Sequence, residues 1–179
     1  MSSPAILSST SEHDVATTCA TFALTSAEFH ALRERAVAAK ARAYCPYSRF
    51  RVGAALLTKS SGAEEHHIVI GANIENASYP VTTCAERVAL GTAVIEGLHE
   101  VAGGGGFSAL ALATDIVPPA SPCGMCRQFI REFCDLKMPI IMFDKDERYS
   151  VLRLEELLPL SFGPEALGAP EPSKQVFPK

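Results

Sequence analysis

The chain has 179 residues, 47% of them hydrophobic, enough for one domain with a sizeable core. Its formal charge of −4 argues against a duplex or single-strand nucleic-acid binder, which needs a basic surface. No apolar run approaches the ~18 residues of a membrane span, and the Ser/Thr/Ala-rich start lacks the basic-then-apolar order of a secretion signal.

Residues 1–24 are expected to form a mobile N-terminal tail, in which His13 and Cys19 have no assigned role. Thr25, with Glu28 three residues on, makes a capping box. Phe29, Leu32, Ala36, Ala39 and Ala43 follow at helical spacing. That helix should stop near Tyr44, because Pro46 disfavours helix in the residue before it. Val52 to Thr58 and His67 to Ala72 read as two strands of a hairpin. Adjacent residues on a strand face opposite ways, so His66 and His67 read as a polar strand start rather than a metal pair. A helix from Cys84 to about Glu96 has Gly97 as its stop. Gly103 to Gly106 lead into a strand, Phe107 to Ala113, and lack the Lys-Ser/Thr of a phosphate-binding loop. Pro118 to Pro122 form a rigid approach to a helix over Cys123 to Cys134. Strands at Ile140–Phe143 and Tyr149–Leu152 flank a turn, and Leu154 to Leu158 make a short helix. The proline-bearing tail, 169–179, is expected to be disordered. Strands joined through helices imply an α/β fold: a three-layer α-β-α sandwich with a mixed sheet of about five strands, spanning 25–168.

Two stretches carry the chemistry: Thr83-Cys84-Ala85-Glu86-Arg87 and Ser121-Pro122-Cys123-Gly124-Met125-Cys126-Arg127. Cys123 and Cys126 share a face in the first turn of a helix, so both sulfurs can address one ion. With Cys84 as a third ligand, a tetrahedral Zn²⁺ keeps its fourth position open for water, the mark of a catalytic site. Glu86 lies close enough to act on that water. Both motifs sit at predicted helix N-termini, whose partial positive charge favours thiolates. Three cysteines thus have metal spacing, and Cys19, Cys45 and Cys134 are scattered. A reducing, cytoplasmic compartment fits this usage better than three disulfides.

This pair of motifs resembles the zinc-dependent nucleobase and nucleoside deaminases in their three-Cys form. Further stretches agree in order: Tyr44-Cys45-Pro46-Tyr47-Ser48, Phe50 to Leu56, Asn73 to Pro80, and Ser161 to Glu165. Together they are similar to cytidine deaminase of the small homotetrameric class, from about Phe29 to Leu167. The resemblance implies one zinc per subunit, a cytoplasmic homotetramer with sites shared across subunits, and hydrolytic deamination of cytidine and deoxycytidine in pyrimidine salvage. No nucleic acid or membrane partner is implied. Glu86 is the implied proton carrier, taking a proton from the attacking water and delivering it to N3 of the ring and then to the leaving ammonia. Arg87, assisted by Arg127, is implied as a hydrogen-bond donor that draws charge off the sulfurs. Phe50 matches the aromatic that packs on the pyrimidine. Asn73 and Glu75 match the pair that binds the ribose hydroxyls, and the backbone of Ala85 matches a contact to the base. Tyr79 and Phe162 match residues that reach a neighbouring subunit's site.

Three departures stand out. Arg51 occupies a position where relatives commonly have proline, which predicts a looser Phe50 loop. Thr82 and Thr83 replace smaller or apolar residues, and the stretches around Ala63–His67 and Ala102–Gly106 look longer than usual. Two rival readings remain at this level. One is a three-Cys deaminase of a cytosine nucleoside antibiotic, which turnover distinguishes. The other is a redox module using Cys123 and Cys126, which leaves Cys84 and Glu86 unexplained. Deaminases of polynucleotides typically carry His before the x-Glu, and this chain has no His-x-Glu.

Overall fold

The computed structural model describes residues 4–59, 67–99 and 106–168. Its elements are β1 (Leu7–Ser8), α1 (Glu12–Phe22), α2 (Ser26–Ala39), β2 (Val52–Thr58), β3 (Ile68–Ala72), α3 (Ala85–Ile95), β4 (Phe107–Thr114), α4 (Gly124–Phe133), β5 (Pro139–Phe143), β6 (Arg148–Arg153) and α5 (Leu154–Leu157). The strands form one six-stranded sheet in the order β1-β6-β5-β4-β2-β3. Among the strands of the described residues, only β4 and β5 pair in parallel, and they are the pair joined through α4. The expected mixed sheet is therefore present with one strand more than about five.

Alternation along the strands builds the two faces. Ala54, Leu56, Leu110, Leu112 and Ile140 pack with Ala85, Ala89, Leu90 and Ile130 of α3 and α4. Ala55, Leu57, Ala111 and Ile141 pack with Phe29, Leu32 and Ala36 of α2 on the other side. Helices thus cover both faces, which is the three-layer sandwich. Two glycines set how closely they lie. A Cβ on Gly53 would stand 2.0 Å from the Ala36 carbonyl oxygen, and one on Gly71 2.3 Å from that of Ala85. The second approach seats the start of α3, and with it the Cys84 motif, directly on β3.

The N-terminal expectation is corrected. Residues 7–22 are not a tail: β1 extends the sheet at β6, with Leu7 opposite Tyr149, and α1 packs on α2. Ser11 caps α1, and Val15, Thr18 and Cys19 recur at i, i+3 and i+4 on its buried face. The Thr18 hydroxyl hydrogen-bonds the Tyr149 hydroxyl at 2.7 Å inside the core. That tyrosine packs edge-on against Phe29 at 5.1 Å. The capping box at Thr25 is present, and Gly97 takes a left-handed φ of 74° at the end of α3. The expected tail 169–179, His66 and most of the two long stretches lie outside the described residues. Among the described residues, no helix is long and apolar enough to cross a membrane. All six cysteines are free.

Candidate active site and metal centre

Cys84 and Cys123 are the N-cap residues of α3 and α4, and neither side chain caps its helix. Their sulfurs are left to face each other at 4.0 Å. Cys126, one turn into α4 and fully buried, completes a group whose three sulfurs lie within 4.8 Å of one another. Sulfurs at Zn–S distances of about 2.3 Å around a tetrahedral ion stand about 3.8 Å apart, so small side-chain shifts bring the group onto zinc. The donor chemistry agrees. A hydrogen bond from Cys126, opposed by burial and supported by Cys123 and Arg87, brings the Cys84 thiol down to about 5, a thiolate at neutral pH. The same bond to Cys84, with burial, pushes Cys126 up.

Glu86, in the first turn of α3, is only 4% exposed, and its Oε2 is buried with no hydrogen-bond partner. Burial, then the charge on Cys84, raises its pKa above the ordinary carboxylate value. A buried, unpartnered carboxylate oxygen costs stability unless a ligand uses it. A raised pKa also suits a group that must both take and give a proton near neutrality. Ala85, fully buried, is the first residue of α3 between Cys84 and Glu86.

Arg87 stands near enough to Cys84 to help lower its pKa, and it donates from Nη2 to the Thr82 carbonyl at 2.7 Å, which fixes the turn before the ligand. Arg127 acts differently from the expectation. Its guanidinium donates to the Pro122 carbonyl, the Leu157 carbonyl and the Ser121 hydroxyl, each at 2.8 Å. It ties the backbone before Cys123 to the end of α5.

A second wall comes from the segment after β3. Ile74 exchanges backbone hydrogen bonds with Thr83, next to Cys84, at 2.8 and 2.9 Å. Asn73, on one side of it, donates from Nδ2 to the Phe50 carbonyl and accepts from the Val52 N–H, both at 2.8 Å. Its amide acts as an added peptide group of the sheet ladder, bracketing residue 51. Glu75, on the other side, accepts from the Tyr47 N–H at 2.9 Å and from the Ser48 N–H. The Ser48 side chain first, against partial desolvation, and then those N–H groups hold its carboxyl below the usual range. Both residues therefore hold the Phe50 loop, and each has lone pairs or an N–H left for a ligand. Tyr79 is 71% exposed, with its ring 6.2 Å from that of Tyr47. Phe162 is 60% exposed, its carbonyl accepting from Gln128 Nε2 at 3.0 Å. Arg131, buried, bonds Ser161 and Glu165 on either side of that phenylalanine. The sequence carried no local signal for this arginine's partners.

Residues 27–142 match the family described as the cytidine and deoxycytidylate deaminase zinc-binding region. The cytidine deaminase of Sporosarcina psychrophila is 43% identical over 129 residues, covering 72% of this chain and 87% of that protein. That of Halalkalibacterium halodurans is 41% identical over 134 residues, covering 75% and 93%. The crystal structure of cytidine deaminase from Burkholderia pseudomallei superposes with a TM-score of 0.67 at 38% identity, covering 74% of this chain and 98% of that one. The sulfur cluster, the buried Glu86 two residues after Cys84, and these likenesses agree: the chain belongs to the zinc-binding family of cytidine and deoxycytidylate deaminases.

Proposed function

We propose that the protein hydrolyses cytidine and deoxycytidine to uridine and deoxyuridine with release of ammonia, as a cytoplasmic homotetramer working in pyrimidine salvage. The observation that carries this reading is the buried Glu86 carboxylate, with its Oε2 left without a hydrogen-bond partner, two residues beyond a cysteine of the zinc-fitting cluster. Family membership and the named relatives support it.

Cys84, Cys123 and Cys126 would hold one Zn²⁺ per subunit. Zinc supplies a Lewis acid that lowers the pKa of water toward ~7. The protein supplies the rest. Glu86 accepts a proton from the water that attacks C4 of the base and passes it to N3. As the C4–N4 bond breaks, the same carboxyl group helps protonate the departing amine, so ammonia leaves and a carbonyl remains. Enclosure keeps bulk water from competing with Glu86 for these protons. Arg87 and the two helix N-termini offset the negative charge of three thiolates. Phe50 packs on the pyrimidine, the Ala85 backbone meets the base edge, and Asn73 with Glu75 bind the ribose hydroxyls. Tyr79 and Phe162, large rings left exposed on one subunit, complete a neighbour's site, which makes the tetramer the active form.

A turnover panel tests the reading: cytidine, deoxycytidine, free cytosine, cytidylate and blasticidin S, followed by ammonia release. Turnover of the two nucleosides alone is expected. Activity confined to blasticidin S would assign the protein to antibiotic inactivation instead.

A further inference from the structure

Residue 51 is gripped from two directions. The sheet order places β2 between β3 and β4. On the β3 side, the Asn73 amide bonds the peptide groups before and after Arg51. On the β4 side, the last ladder pair is Val52 opposite Thr114, so Arg51 and Asp115 stand opposite each other one step beyond it. Their side chains close that step: Arg51 Nε lies 2.8 Å from Asp115 Oδ2. The other carboxylate oxygen of Asp115 is held at 2.9 Å by Lys40 Nζ, which also donates to the Thr114 carbonyl at 3.3 Å. Lys40, at the end of α2, is 13% exposed in its side chain. Asp115 is thus fixed by the sheet and by α2, and Arg51 hangs the loop on it. The looser loop expected from the missing proline is countered by a cross-strand ion pair.

Phe50 is the residue this arrangement displaces if it fails. Its N–H is bonded to Ser48 Oγ at 3.0 Å and its carbonyl to Asn73. Both contacts are within or beside the same loop, whereas Asp115 directly follows β4, a central strand of the sheet, and is held there by Lys40. We propose that Asp115 is a positioning residue for substrate binding, acting through Arg51 to hold the Phe50 wall against the base. This rests on the deaminase reading above and on Phe50 packing against the pyrimidine.

The test is a kinetic cycle on the full chain: Asp115→Asn, Arg51→Gln and the double variant, with cytidine as substrate. An interaction that serves bound substrate and transition state alike raises KM with little change in kcat. Each single change should raise KM by about two- to fivefold, the size of a partly exposed ion pair, with kcat falling less than KM rises. The double variant should be no worse than the worse single one, since both break one contact. Asp115→Glu, which keeps the charge, should recover most of the wild-type KM. Arg51 is mostly exposed, so its variant folds even if loss of Asp115 disturbs the end of α2. Unchanged KM in Arg51→Gln, or single effects that add in full, would overturn the proposal while leaving the deaminase reading intact. Silence of the wild-type protein on cytidine would overturn both.

Discussion

The sulfurs of Cys84 and Cys123, each the N-cap residue of its own helix, lie 4.0 Å apart across the α3–α4 contact. Two helix starts therefore meet at one point, and the site's charge is supported by backbone as well as by side chains. Replacing Cys123 by Ser should strip zinc during dialysis against a chelator that leaves the wild-type protein loaded. Metal analysis after dialysis checks this, and full retention by the variant would remove Cys123 from the ligand set.

Asn73 bridges the peptide groups around Arg51 while only 7% exposed. Asn73→Ala leaves the Phe50 carbonyl and the Val52 N–H without that partner, at a cost of about 1–3 kcal/mol. The variant should also bind cytidine more weakly. Denaturant unfolding and KM, measured together, separate the two effects.

The N-terminal helix is part of the core rather than an appendage. Thr18→Val keeps the shape of the side chain but leaves the Tyr149 hydroxyl unpaired inside the core, which should cost about 1–2 kcal/mol. Removing residues 1–24 should do more. It uncovers Phe29 and Tyr149 and bares the edge of β6, an open template for pairing with another chain. A lower unfolding midpoint and aggregation of the truncated chain are the expected outcomes, read by unfolding and light scattering.

Acid should loosen the Phe50 loop, which is fully held at neutral pH. For Asp115, burial raises the pKa, but the bonds to Arg51 and Lys40 outweigh it and leave the net shift downward. Glu75 is also lowered. A carboxylate with a folded pKa below its unfolded value adds stability that is fully present above the unfolded pKa and is lost as pH falls through the folded one. The loss therefore falls below about pH 4. Urea midpoints followed from neutral to acid should decline less steeply in Asp115→Asn than in the wild-type protein.

The parts of the fold visible in the sequence are those with strong local patterns. The Thr25–Glu28 capping box, the apolar run of Val52–Thr58 and the spacing of Cys123 and Cys126 each report their structure within a few residues. What stayed hidden depends on partners far along the chain. β1 has two residues and no period of its own; it exists because β6 offers an edge. The buried face of α1 includes the polar Thr18, which weakens the amphipathic signal until Tyr149 is seen beside it. Arg127 beside a zinc motif suggested a sulfur contact, but the carbonyls of Pro122 and Leu157 claim it first. Asp115 carries no motif at all, and its pairing with Arg51 emerges only from the register of β2 and β4.

The central claim is that Glu86 moves the protons of a hydrolytic deamination. Ammonia release from cytidine, measured side by side for zinc-loaded wild-type protein and Glu86→Gln, tests it most directly. The substitution keeps size and shape but removes the carboxylate that takes up and gives back the proton, so turnover should fall by about 10²–10⁴-fold, with zinc content and unfolding midpoint unchanged. Near wild-type turnover in the variant would contradict the account.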